Sequence, residues 1–157
     1  MAEVERIADA IERTVSGPEW HGPSLAELLK DMTPADALAH PIDGAHSIWE
    51  LVLHLASWVN IARERLTFEP TREPTVAEDW PPVLKPTPTG WWRAVNELTD
   101  AHRRLAEEVR RVDEATLDRQ IPGHDYSARV MLHGVVSHGA YHGGQIALLT
   151  RALENRP

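Results

Sequence analysis

Apolar residues recur at helical spacing in four long stretches of this chain, and this periodicity most constrains its fold. Apolar residues three or four positions apart line one face of an amphipathic helix. Glycine and proline separate the stretches, and no window alternates apolar and polar residues as a half-buried strand does. We therefore predict an all-α protein, a four-helix bundle that forms a single domain over residues 1–157.

The first long helix is predicted to end at Ser16-Gly17-Pro18, where its apolar stripe stops. Two short helices are expected after it. Ser24 opens one of them with a capping-box pattern, and Thr33-Pro34 opens the other with a cap followed by a first-turn proline. Trp20 is expected to pack on the bundle through a turn.

The second long helix is predicted to begin at Ser47, which forms a capping box with Glu50, and to run to about Leu66. His54 lies on its apolar face. The other residues of that face are Leu51, Leu55, Trp58 and either Ile61 or Ala62.

Six prolines lie between residues 67 and 88, so this segment is predicted to be a loop and not a regular helix. About 20 extended residues span roughly 65 Å, whereas a helix of 20 residues is about 30 Å long. The loop can therefore cross the molecule and start the third helix at the end where the second began. We expect the second and third long helices to be parallel, as in bundles with a crossover connection.

The third long helix is predicted from about Gly90 to Val112, with either Trp91 or Trp92 facing inward. The fourth is predicted over residues 127–153, after a turn around residues 122–123.

Composition excludes several classes of function. The net charge of −8 has the wrong sign for attraction to phosphate backbones or anionic lipids, and no apolar run reaches 18 residues. Because the chain has no cysteine, it can form no disulfide, and a metal would have to bind histidine, carboxylate or backbone oxygen. We expect a soluble, cytoplasmic protein that acts on a small molecule, with neither nucleic acid nor a membrane as its partner.

His138 and His142 are four residues apart in the fourth helix, so their imidazoles can converge on one ion. Such a pair arises readily by chance among nine histidines, and its surroundings have to support it. Four glycines in the same helix each cost about 1 kcal/mol relative to alanine, a loss that close helix packing or a bound metal would offset. His54 is either a core histidine bonded to a carbonyl or a third ligand.

Two segments resemble the DinB/YfiT-like superfamily. They are Glu50-Leu51-Val52-Leu53-His54-Leu55-Ala56-Ser57-Trp58 and His138-Gly139-Ala140-Tyr141-His142-Gly143-Gly144-Gln145-Ile146. The resemblance covers nearly the whole chain and implies a four-helix bundle with a crossover between the second and third helices. It also implies a three-histidine metal site, and carried over by residue it assigns His54, His138 and His142 as the ligands.

The resemblance further implies a divalent transition metal, zinc or nickel first, although imidazole also suits iron and copper. Members of the superfamily include thiol S-transferases that use bacillithiol or mycothiol, a mycothiol-dependent isomerase and proteins described as metal-dependent hydrolases. Together with the six tryptophans, it favours a homodimer. The chain departs from the family at Gly143, where arginine is common, so that arginine's role toward an anionic substrate is not carried over.

Three neutral histidines leave a metal its full charge and at least one open coordination position, an arrangement typical of catalytic sites. We therefore predict a metal-dependent enzyme of the thiol S-transferase or hydrolase kind, with a small-molecule substrate that could be a low-molecular-weight thiol. The alternative is a non-catalytic helical bundle in which the metal or the histidines serve only stability or ligand binding.

Three further residues are candidates for catalysis. Glu50, one turn before His54, is either a helix cap or a base or extra ligand near the metal. Gln145 could hydrogen-bond a ligand imidazole, and Tyr141 could supply a phenolic donor or only pack.

The remaining histidines are predicted to lie outside the triad. His133 lies about half a helical circumference from His142. Surface or capping positions are expected for His40, His46, His102 and His124. Two histidines, His21 and His46, are kept as candidates for the mouth of the pocket.

Overall fold

The computed structural model describes residues 2–155, which form eight helices and no strand. The long helices are α1 (Glu3–Ser16), α4 (Ile48–Arg65), α6 (Pro88–Val109) and α8 (Ala128–Glu154). The short ones are α2 (Leu25–Leu29), α3 (Pro34–Leu38), α5 (Val76–Asp79) and α7 (Glu114–Leu117). The all-α prediction is confirmed. The predicted domain of residues 1–157 includes residues 1, 156 and 157, which lie outside the described residues. Within that described part, no helix is long and apolar enough to cross a membrane.

Local capping signals fix most helix boundaries. Ser24 and Ser47 both form the predicted capping boxes, and the hydroxyl of Thr33 accepts the backbone N–H of Asp36. The predicted end of α1 and the predicted bounds of α4 and α8 agree with the structure to within one residue.

The predicted bounds of the third long helix are wrong at both ends. The helix begins two residues earlier, because Thr87 caps it through the backbone N–H of Gly90 at 3.1 Å and Pro88 fits the first turn. It ends three residues earlier, at Val109, because the chain turns there to start α7. Trp91 is the inward tryptophan, and Trp92 is 47% exposed.

The prediction of a helix-free loop over residues 67–88 is also wrong, because α5 lies within it. The six residues from Thr75 to Trp80 contain no proline, and Thr75 forms a capping box with Glu78. A single helical turn therefore fits between the prolines on either side.

Trp20 does not pack on the bundle. It is fully exposed in a turn closed by a backbone bridge between Glu19 and Gly22. Gly22 has a φ of 143°, a backbone conformation that favours glycine and allows the chain to reverse in this turn.

The helices α4 and α6 are parallel, as expected for a crossover connection. The rings of Trp49 and Trp91, near the two N-termini, lie 5.3 Å apart. Arg63 and Glu108, near the two C-termini, form an ion pair of 3.4 Å. The loop between the helices therefore returns along the length of the bundle and passes over α4, where α5 packs.

The core has two apolar clusters, one at each end of the bundle. One contains the start of α1 and α8 with the end of α4 and α6, and the other contains the opposite ends. Four buried or partly buried histidines lie near the level where the clusters meet: His54, His102, His138 and His142. The site therefore sits in a polar layer between two separate apolar cores.

Gly139 lets α8 approach α1 closely. A Cβ atom on Gly139 would lie 2.3 Å from Cγ2 of Thr14, far inside van der Waals contact. Cβ atoms on Gly134 or Gly144 would meet nothing within 4 Å. The expected compensation by close packing is therefore confirmed at Gly139. Close packing does not explain the glycines at positions 134 and 144.

We expect Gly139→Ala to lower the free energy of unfolding by about 1–3 kcal/mol, because overpacking outweighs the gain in helix propensity. Thr14→Ser removes the clashing methyl group and should restore most of that loss in the double variant. Gly144→Ala is the matched control and should stabilise the protein by up to about 1 kcal/mol. Urea denaturation in the presence of EDTA gives the free energy of unfolding of the parent, the single variant, the double variant and the control. An unchanged Gly139→Ala protein would contradict the close approach.

Candidate metal centre

Three histidine side chains from two helices converge between the apolar clusters. Nε2 of His138 lies 3.1 Å from Nε2 of His54 and 3.0 Å from Nε2 of His142. The ligand nitrogens of all three lie within 4.8 Å of one another. The four-residue spacing on α8 brings His138 and His142 together, and the packing of α4 against α8 brings His54 opposite them.

The outward ring nitrogens of two of these histidines are held by carbonyl oxygens. Nδ1 of His54 lies 2.6 Å from the backbone oxygen of Asp79, and Nδ1 of His142 lies 2.6 Å from Oε1 of Gln145. Because a carbonyl oxygen only accepts, each Nδ1 carries the hydrogen and donates it. In the neutral rings, Nε2 of both residues is therefore a lone pair directed into the centre.

This pattern leaves the centre with too many acceptors. Two lone pairs face Nε2 of His138, which can donate at most one hydrogen. At least one short nitrogen–nitrogen contact thus has no hydrogen to share, and a cation would satisfy all three nitrogens at once. Tetrahedral ligands about 2.0–2.1 Å from zinc lie roughly 3.3 Å apart. The two distances from Nε2 of His138, 3.1 and 3.0 Å, are close to that value. The residues fit a divalent transition metal.

Burial keeps the three imidazoles neutral. Desolvation, together with the neighbouring His142 and His54, lowers the pKa of His138 to about 4. Desolvation also lowers the pKa of His54 and His142, although their hydrogen bonds to Asp79 and Gln145 oppose it. Neutral imidazole is the form that binds a metal ion, so the site needs no deprotonation at neutral pH.

The crossover loop covers one side of the centre. The ring of Trp80 stacks on His54 with a centroid distance of 3.9 Å, and His46 stacks on the other face of the indole at 3.5 Å. Trp58 Nε1 donates to Oδ1 of Asp79 at 2.7 Å, and the hydroxyl of Ser57 donates to a carbonyl at the end of α5. These bonds dock α5 on α4 and place the Asp79 carbonyl against His54.

A groove of about 350 Å³ reaches the centre at His138. Its other lining residues are Trp58, Ala62, Arg65, Tyr126, Val130, Met131, Gly134 and Val135. Gly134 lies one helical turn before His138 and leaves open space where a side chain would stand. One ligand of the triad therefore faces a largely apolar groove wide enough for a small molecule.

A family model described as the DinB superfamily matches residues 19–146. The chain belongs to the DinB superfamily. The predicted resemblance is thus confirmed, and the matched region of this DinB-superfamily chain contains all three histidines of the centre. No curated protein and no solved structure matches the chain.

Gln145 and Tyr141 lie beside the centre. Gln145 bonds the ring of His142, as expected, and holds its tautomer. Tyr141 is 65% exposed, and its ring meets the edge of His142 at a centroid distance of 4.9 Å. A catalytic role for either residue stays a prediction.

Glu50 forms the capping box on α4. Its carboxylate accepts the backbone N–H of Ser47 at 2.7 Å and lies 3.6 Å from His46 and 3.9 Å from His40. Burial raises the pKa of Glu50, but the hydrogen bonds from Ser47 and the nearby His40 and His46 together outweigh burial, so the pKa lies below its usual range. The cap is formed, and a role as base or ligand stays a prediction.

The prediction that His102 has a surface or capping position is wrong. Its side chain is 1% exposed, its Nδ1 donates to the Leu98 carbonyl at 2.8 Å, and its Nε2 has no partner among the described residues. The spacing of His102 from Leu98 and Leu105, four and three residues, already placed it on the buried face of α6. The charged neighbours Arg103 and Arg104 led to the wrong prediction of an exposed position.

The other histidines lie outside the triad. His46 stacks on Trp80 but does not line the groove at His138, and His21 is exposed in the turn after α1. His133 is half exposed and contacts Glu3. The contacts of Asp79 and Trp80 with His54 were not predicted from the sequence. The Thr75–Glu78 capping box was the one signal for the short helix that carries them to the centre.

We expect about one divalent transition metal per chain, and its loss in His54→Ala, His138→Ala and His142→Ala, because each variant removes one of three ligands. His133→Ala, at an exposed position on the same helix as two of the ligands, is the control. Elemental analysis of protein purified without a metal-affinity tag gives the measurement. Full metal content in His54→Ala would show that the α8 pair binds the ion alone.

The metal-free protein should lose stability as the pH falls from about 6.5 to about 4. Burial lowers the pKa of His102 and His138 to about 4, whereas histidines of the unfolded chain titrate near 6.5. Between these values the unfolded state binds more protons, so the free energy of unfolding rises with pH. In His102→Leu the slope of the free energy of unfolding against pH should correspond to about one proton fewer taken up on unfolding. Urea denaturation at a series of pH values in the presence of EDTA measures this slope. A slope equal to that of the parent would contradict the shift.

Glu50→Gln separates the cap from a role in the chemistry, because glutamine can still close a capping box but cannot act as a base. From the observed bond to Ser47 we expect metal content and the free energy of unfolding to stay near those of the parent. A fall of about tenfold in metal affinity or turnover, about 1.4 kcal/mol, would instead show that the carboxylate acts at the metal.

Proposed function

We propose that this protein is a metal-dependent enzyme of the thiol S-transferase or hydrolase kind that acts on a small molecule through His54, His138 and His142. The observation that carries the proposal is the set of three neutral imidazoles whose Nε2 atoms meet beside an apolar groove with too few hydrogens to satisfy one another. Within the described residues no carboxylate joins them as a fourth ligand. The donor set therefore leaves a coordination position open, as catalytic sites do.

The chain's own residues divide the work at this centre. Asp79 and Gln145 fix the rings of His54 and His142, which keeps both Nε2 atoms directed inward. Trp80 covers His54 and shields that side from water. The groove presents a substrate to His138. When bound, a divalent metal supplies positive charge that polarises a carbonyl or favours the ionised form of a thiol.

A purely structural metal is less well supported by the packing. Structural sites hold together elements that lack a core of their own. Here α4 and α8 already contribute buried apolar residues to both clusters on either side of the histidines. We therefore expect the bundle to fold without the ion. The homodimer, the cytoplasmic location and a low-molecular-weight thiol as substrate stay predictions.

Two measurements test the proposal. Protein treated with EDTA should keep its helical circular dichroism, because the apolar clusters do not contain the ion. Protein loaded with cobalt(II) should develop a thiolate-to-cobalt absorption band when a small thiol is added, because an open position accepts it. Cobalt-loaded His133→Ala should give the same band as the parent. Unfolding in EDTA, or the absence of the band, would favour a closed structural site.

A further inference from the structure

Arg65 is a buried cation in the wall of the groove. It is the last residue of α4, and its side chain is 5% exposed. Its Cζ atom lies 5.8 Å from the ring of Trp58, which is another wall of the same groove. A buried charge is costly unless it is paired and fully hydrogen-bonded.

The guanidinium of Arg65 is only partly paired. Nη1 donates to the hydroxyl of Tyr126 at 2.7 Å, a neutral partner, and Nε has no partner among the described residues. Nη2 is 3.4 Å from Oε2 of Glu73, a long contact for a charge-assisted hydrogen bond. Arg110 shows the contrast, since it contacts two carboxylates at 2.8 Å although it is more exposed.

Glu73 already places a carboxylate beside Arg65, but holds it loosely. Its side chain is 74% exposed and comes from the crossover loop. Its second oxygen lies 3.6 Å from Nδ1 of His124, whose ring stacks on Tyr126 at 4.9 Å. Burial raises the pKa of Tyr126, so the phenol keeps its hydrogen and can donate it to an anion.

The groove connects this cation to the metal centre. The Trp58 ring lies 5.8 Å from Cζ of Arg65 and 6.2 Å from the ring of His138. The same groove is also lined by four apolar residues, Ala62, Val130, Met131 and Val135. One molecule with an apolar body can therefore reach both the arginine and the triad.

We propose that the groove binds a small apolar monocarboxylate, whose carboxylate displaces Glu73 and pairs with Arg65 and the Tyr126 hydroxyl. This inference rests on the proposed function, for which it names the substrate class. The apolar body lies along Trp58 and directs the far end of the molecule to His138. Glu73 is the competing occupant that keeps Arg65 partly paired when no substrate is bound.

A single carboxylate fits better than a more highly charged group. Arg65 supplies one positive charge, and its planar guanidinium matches the two oxygens of a carboxylate. The chain carries a net charge of −8, which opposes the approach of a polyanion. Apolar walls favour a ligand whose remaining surface is hydrocarbon.

Calorimetric titration of the metal-loaded protein with 4-phenylbutyrate and with 4-phenylbutanamide tests this proposal, since the two probes differ in charge and not in shape. We expect the carboxylate to bind at least about tenfold more tightly than the amide. In Arg65→Met this ratio should fall to about one, because methionine keeps part of the stem and removes the charge. Arg63→Met is the matched control: Arg63 lies outside the groove, and its loss should leave the ratio unchanged.

Two further variants keep the test valid if Arg65→Met does not fold. Glu73→Gln removes the competing anion at an exposed position, so the carboxylate should bind about three- to tenfold more tightly while the amide is unaffected. Glu69→Gln, an exposed change of the same charge in the same loop, should alter neither. Tyr126→Phe should weaken the carboxylate about threefold or more.

Equal binding of the two probes by the parent would overturn the proposal, as would no binding of the carboxylate. If folded Arg65→Met still preferred the carboxylate, the anion would bind the metal and not the arginine. That result would also overturn the proposal. The proposal would also be overturned if Glu73→Gln bound the carboxylate no more tightly than Glu69→Gln does. Failure of the proposed function would show differently, as a missing thiolate band in the cobalt protein with the Arg65-dependent preference intact.

Discussion

Three histidine nitrogens meet in this protein with too few hydrogens to satisfy one another, and their surroundings maintain that mismatch. Asp79 and Gln145 take up the ring hydrogens of His54 and His142, so both inner nitrogens are lone pairs. Three neutral imidazoles cannot satisfy one another in that state. The arrangement is costly as a hydrogen-bonded core and well suited to a cation, which explains why a polar layer persists between two apolar clusters.

The crossover loop is part of the site as well as a connection. Parallel α4 and α6 require a segment that returns along the bundle, and that segment passes over α4 where His54 lies. Its prolines leave room for one helical turn, α5, whose final carbonyls meet Ser57 and His54. The same loop carries Trp80 to the face of His54 and Glu73 to Arg65. Topology and metal environment are therefore coupled.

Gly143 and Arg65 lie in different surroundings near the centre. Gly143, the position at which the family resemblance suggests an arginine, is buried, with Leu25 and Leu28 of the α2 segment 3.5 and 3.7 Å from where its Cβ would be. Arg65 is a buried cation at the end of α4 and lines the groove beside His138. The apolar groove and its buried cation together define how a ligand would be oriented toward the triad.

Features that depend on neighbours along the chain could be predicted from the residue types alone. Capping boxes at Ser24 and Ser47 and the His138–His142 spacing each act within one or two helical turns, and all were predictable. The resemblance to the DinB/YfiT-like superfamily added His54 as the third candidate ligand. Three other features became visible only in the folded chain: the Asp79 carbonyl fixes the His54 tautomer, His102 is buried, and Arg65 contacts Glu73. These contacts join segments whose meeting depends on how whole helices and the crossover loop pack, and a backbone carbonyl has no signature in the residue types.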